Sequence, residues 1–148
     1  MFGFAAKNRA TPRRYVKKEG AYNIMGKFVI RTTATGFTFR LKARNGEVIA
    51  TSEVYTTEAA CKNGIHSVST NAPIAALEDQ TVEGFETQKH PKFEVYEDKK
   101  GECRFRLKAK NGEIVAVSEG YTTKAACLNG VESVRKNAAD ATVEEEEG

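Results

Sequence analysis

The sequence predicts an α+β fold: two tandem β-β-β-α repeats sharing one antiparallel sheet, with both helices on one face. Three observations predict it. FRLKARNGEVIATSE, beginning at Phe39, returns as FRLKAKNGEIVAVSE at Phe105. Between Phe39–Ala72 and Phe105–Ala138 about two-thirds of positions are identical, without a gap. Inside each copy apolar and basic residues alternate up to an Asn-Gly pair, as in a strand entering a tight turn. Beyond it the apolar period lengthens to that of a helix.

In chain order, residues 1–25 form a basic arm, where Lys7, Arg9, Arg13, Arg14, Lys17 and Lys18 face only Glu19. Such a charge block is expected to stay solvated and without regular structure. Met25, directly before the first repeat, marks part of the arm as a candidate leader outside the fold, or as translation upstream of the true start. The first repeat is placed at 26–82, with strands at Phe28–Thr32, along Phe39–Ala43 and after Asn45-Gly46. A type I′ turn there sets Leu41 opposite Ala50 and Lys42 opposite Ile49. Thr56 or Thr57 supplies a helix N-cap oxygen. Cys61, Ile65, Val68 and Ala72 then share one helical face. Gly64 and Gly130 fall mid-helix, where glycine costs about 1 kcal/mol against alanine; close approach of another backbone is the expected reason, a helix break the alternative.

Residues 83–91 are read as a linker and 92–143 as the second repeat, with Phe93–Glu97, Asn111-Gly112 and the Cys127, Val131, Val134, Ala138 face in matching places. The glutamates at 144–147 make 144–148 an acidic tail. One such unit alone buries little surface. The two are therefore expected to form a single domain, a monomeric covalent pseudo-dimer with a six-stranded sheet and approximate two-fold symmetry.

The motifs F-R-L-K-A-x-N-G-E, S-E-x-Y-T-T, A-A-C-x-N-G-[IV] and S-V-x-x-N-A occur in both copies. They closely resemble those of the YegP-like family of small bacterial proteins, a domain of unknown function. The resemblance spans Gly26 to Val82 and Lys92 to Val143. It implies tandem or dimeric β3-α units on one antiparallel sheet, with C-terminal helices exchanged between repeats. It brings no catalytic residues with it.

Composition narrows the function. No apolar run reaches the roughly 20 residues that cross a bilayer, so no membrane partner is expected. The N-terminus lacks the apolar core of a secretory signal, and a cytoplasmic protein is expected. Three cysteines without a C-x-x-C pair fit neither a disulfide scaffold nor a zinc site. No phosphate loop, zinc-protease motif or nucleophile elbow is present, so the reading is of a non-enzyme without cofactor or metal.

What remains is charge. With phenylalanines and leucines turned to the helices, the other side of the sheet presents Arg31, Arg40, Lys42 and Arg44 from the first copy. Tyr96, Arg104, Arg106, Lys108 and Lys110 come from the second, with Val29, Ile49, Val115 and Val117 interleaved. These nine residues are the candidate binding face, suited to weak contact with nucleic acid or an acidic protein. One tyrosine is too little for base stacking along a strand. The competing reading is a solvated face on a passive structural or stress-associated protein. An enzyme would need Ser52, Glu53 and Tyr55 with their equivalents Ser118, Glu119 and Tyr121, or the thiols of Cys61 and Cys127. The first set suits hydrogen bonding at a strand-to-helix junction, the thiols a buried stripe. His66 and His90 have no partner at ligand spacing and are read as surface residues.

Overall fold

The computed structural model describes residues 15–18, 21–24 and 26–146. Strands β1 (Tyr15–Lys18) and β2 (Ala21–Ile24) pair antiparallel, with Lys18 opposite Ala21. This departs from the arm without regular structure expected at 1–25. Tyr15, Val16, Tyr22 and Ile24 are β-prone and outweigh the local charge. The rest of the arm, Met25 and its leader reading included, lies outside the described residues.

The first repeat runs β3 (Lys27–Thr32), β4 (Phe37–Lys42), β5 (Val48–Thr51), α1 (Glu58–Asn71), a short 3-10 turn (Ala72–Ile74) and β6 (Ala76–Asp79). The second runs β7 (Lys92–Glu97), β8 (Cys103–Lys108), β9 (Ile114–Val117), α2 (Lys124–Ala138) and β10 (Thr142–Glu146). Strands β3 to β10 form one sheet, in the order β10-β3-β4-β5-β9-β8-β7-β6.

The α+β class and the tandem repeats are as the sequence predicts. The sheet is larger than expected, with eight strands rather than six, and it is mixed rather than wholly antiparallel. Its outer strands run parallel to their neighbours, β10 along β3 and β6 along β7. Each is the strand that follows a helix, and each leaves its own repeat to pair with the first strand of the other. That strand is what the repeats exchange. The helices instead straddle both halves, α1 on β4 and β9, α2 on β8 and β5. Residues 80–91 meet the length of about a dozen residues that a connection between parallel neighbours needs. Residues Glu144 to Glu146, expected in a tail, belong to β10, where backbone pairing and the cations of β3 and β4 hold them.

The halves meet where Thr51 of β5 faces Val117 of β9. These are equivalent positions of the two copies, so the pseudo-two-fold axis passes between them. On the helix side, Phe28, Phe39, Leu41, Phe93, Phe105 and Leu107 are fully buried against Cys61, Val68, Cys127 and Val134. Each large side chain contributes about 1.5–3 kcal/mol of burial. The helices start where Thr57 and Thr123 accept from the Ala60 and Ala126 N–H groups at 3.0 and 3.1 Å.

Two local expectations are corrected. Ala43 N–H donates to Glu47 O, and Gly46 N–H donates to Ala43 O, which makes a three-residue turn rather than type I′. The register then slips between Leu41 and Lys42: Leu41 faces Ala50 as expected, but Lys42 faces Val48. The extra residue, Ile49, turns into the core; Val115 does the same in the second copy. The mid-helix glycines make room for a ring, not for a backbone. A Cβ on Gly64 would strike the Tyr55 hydroxyl, and one on Gly130 would lie 2.5 Å from the Tyr121 hydroxyl and 2.9 Å from Phe105 Cε2.

Candidate functional site

The strand register builds one row across the open face. Val29, Arg40, Thr51, Val117, Arg106 and Glu94 stand side by side on six successive strands. Arg40 and Arg106 flank the pseudo-axis, three strand spacings or about 14 Å apart. Thr51 and Val117 form a small uncharged floor between them.

Most of the predicted cations on this face are already engaged. Arg40 donates from Nη2 to Glu146 Oε1 at 2.6 Å, and Arg31 lies 3.7 Å from the same carboxylate. Arg106 Nε donates to Glu94 Oε1 at 2.6 Å while its guanidinium sits 4.5 Å over the Tyr96 ring. Lys108 pairs with Glu94 at 3.3 Å. Arg104 Nε reaches Asp98 Oδ2 at 2.6 Å and holds that carboxyl below its ordinary range. Lys42 has no ion pair among the described residues. Arg40 Nε is buried without a partner among them, because Val29 stands where Glu94 answers Arg106. Arg44 and Lys110 are not on the face; they occupy turns at opposite ends of the sheet.

Under the second half of this face lies an ionic cluster that the sequence reading missed. Lys92 Nζ sits 2.7 Å from Glu78 and 3.1 Å from Glu94, and all three side chains are at most 6% exposed. The segment after β6 closes over it: Gln88 N–H donates to Glu78 Oε1 at 2.7 Å and Gln80 Nε2 to Oε2 at 2.6 Å. Burial by itself would raise the Glu78 carboxyl. The Lys92 ammonium and the two glutamine donors more than offset it and bring the group down to about 2. The signal was the alternation Lys92, Glu94 opposite to Phe93 and Val95, which needs a partner strand to be read. The equivalent Lys27–Glu144 pair, at 3.3 Å, is 39% and 46% exposed.

The chemical candidates fold into structural roles. Ser52 and Ser118 accept from the Phe39 and Phe105 N–H groups, both at 2.9 Å, and donate to the carbonyls of Glu53 and Glu119. Burial pushes the Cys61 thiol up to about 11. Burial and the neighbouring Cys103 push Cys127 up to about 12, far from thiolate chemistry. His66 and His90 are exposed. Among the described residues no cluster of three or more metal-ligating side chains occurs, and no helix is long and apolar enough to cross a membrane.

A family model described as a domain of unknown function, DUF1508, matches residues 33–79 and 98–145. The UPF0339 protein YegP of Yersinia pestis is 34% identical over 122 residues, covering 82% of this chain and 96% of that protein. A UPF0339 protein of Treponema denticola is 65% identical over 54 residues, 36% of this chain but 93% of that relative. The solution NMR structure of YegP from E. coli superposes with a TM-score of 0.68 at 33% identity, over 84% of this chain and 95% of that one. A UPF0339 protein from Shewanella oneidensis gives a TM-score of 0.68 at 34% identity, over 82% and 91%.

Proposed function

The chain belongs to the DUF1508 family, and from that premise we propose that it is a small non-enzymatic interaction module whose open sheet face contacts an anionic polymer, a nucleic-acid strand or an acidic protein segment. The observation that carries this reading is the pair Arg40 and Arg106 about the pseudo-axis, with an uncharged floor between them. Lys42 adds a cation without an ion pair among the described residues, and Arg31 is half exposed. An incoming phosphate or carboxylate has to compete with Glu146 and Glu94 for the two arginines. The contact is therefore weak and fades as salt screens it.

Fluorescence anisotropy with a labelled single-stranded oligonucleotide, and separately with polyglutamate, tests the reading. Arg40→Glu with Arg106→Glu abolishes salt-sensitive binding if it holds; undiminished binding by the double variant overturns it. The same ion pairs favour a second reading, a passive structural protein whose charges serve its own sheet. Absence of binding to either polymer at low salt is the result that reading expects.

A further inference from the structure

Away from the sheet face, the end of α1 meets the β8–β9 turn of the other repeat around a cleft of about 300 Å³. Ser67, Thr70, Asn71, Ile74, Lys110 and Asn111 line it, and its size is at the low end for small-molecule sites. Lys110, Asn111 and Ser67 supply its donors, while Thr70 Oγ1 spends its proton on the His66 carbonyl at 3.0 Å. Lys110 makes no ion pair among the described residues. Asn111 Oδ1 is taken by the Glu113 N–H at 3.0 Å, while its Nδ2 has no partner among those residues. The Ser67 hydroxyl accepts from Asn71 Nδ2 at 3.1 Å and keeps its proton to donate. No carboxylate lines the cleft.

A helix C-terminus would ordinarily repel an anion through its free carbonyls. Here Arg135, reaching across from α2, donates to Ala75 O at 2.7 Å and to Ala72 O at 3.4 Å. These carbonyls belong to the 3-10 turn and the residue after it, so a cation other than Lys110 already stands beside this end of α1. Beside these donors Ile74, 62% exposed, offers an apolar wall.

We infer that this cleft binds a small organic acid, its carboxylate at Lys110, Asn111 and Ser67 and its short apolar body against Ile74. The site is built once. At the equivalent place in the other half Asp140 replaces Ile74, and Asn45 Nδ2 is spent on Glu47 Oε1 at 3.1 Å. An acidic residue there takes the sequence position of the apolar one.

The test is an amide-resolved NMR titration of the full chain with butanoate and, separately, with inorganic phosphate. Butanoate is expected to give saturable shifts confined to Ser67, Thr70, Lys110 and Asn111. Lys110→Ala, in an exposed turn, weakens them at least tenfold; Ile74→Ser weakens butanoate and leaves phosphate unchanged. Shifts that never saturate, or that survive Lys110→Ala, overturn the site. Phosphate binding as tight as butanoate, with Ile74→Ser silent, overturns the organic acid as its ligand.

Discussion

A methyl group on Gly130 has nowhere to go. The Tyr121 hydroxyl and the Phe105 ring already occupy its place, so Gly130→Ala sets a helix-propensity gain of about 1 kcal/mol against an overpacking cost of about 1–3 kcal/mol. Urea unfolding is expected to show net destabilisation, smaller when Tyr121→Phe removes the hydroxyl; a stabilised Gly130→Ala would contradict the packing. At Lys92 the issue is charge. Lys92→Met leaves Glu78 and Glu94 buried and is expected to cost about 3–5 kcal/mol. Because Glu78 titrates lower in the folded chain than when unfolded, its contribution is present above the ordinary carboxylate range and is lost as pH falls through about 2. Denaturation midpoints should decline over that window, and Glu78→Gln should flatten the decline. Cys61 and Cys127 should resist thiol labelling at pH 8 until the chain unfolds. At this scale the sequence showed which basic residues alternate with the core, but not what neutralises them: Arg40 and Glu146 are 106 positions apart.

Among elements, the β-hairpins show where local pattern suffices and where it does not. Asn45-Gly46 marked the turn, and Leu41 opposite Ala50 followed. The turn nevertheless takes three residues, with Gly46 at φ +90, and the compensating bulge carries Ile49 into the core. Alternation read strictly by twos could not see that slip, since it depends on the space under the helices. Gly46→Ala isolates the turn's contribution, because nothing lies within 4 Å of the new Cβ. A cost of about 1–2 kcal/mol, read as a lower Tm, is expected from the left-handed backbone alone. The similarity of the two post-helix segments, DQTVEGFE and DATVEEEE, was visible in the sequence. Their role as exchanged parallel strands was not, because β6 and β10 find their partners only once both repeats are present.

For the whole molecule, that exchange makes the two copies interdependent: each half completes the other's sheet edge. Residues 26–82 and 83–146 produced separately should each lack native circular dichroism, and mixing them should restore it. Two independently folded halves would contradict the topology. The same symmetry sets Arg40 and Arg106 across the axis from each other, an arrangement that neither repeat has alone and on which the proposed binding face rests. Its most direct test is an amide-resolved NMR titration with short single-stranded RNA and DNA at low and near-physiological salt. Shifts clustered at Arg40, Lys42, Thr51, Arg106 and Lys108 that weaken with salt are the predicted result. Shifts confined to residues before Met25, or none at either salt, would contradict the proposed face.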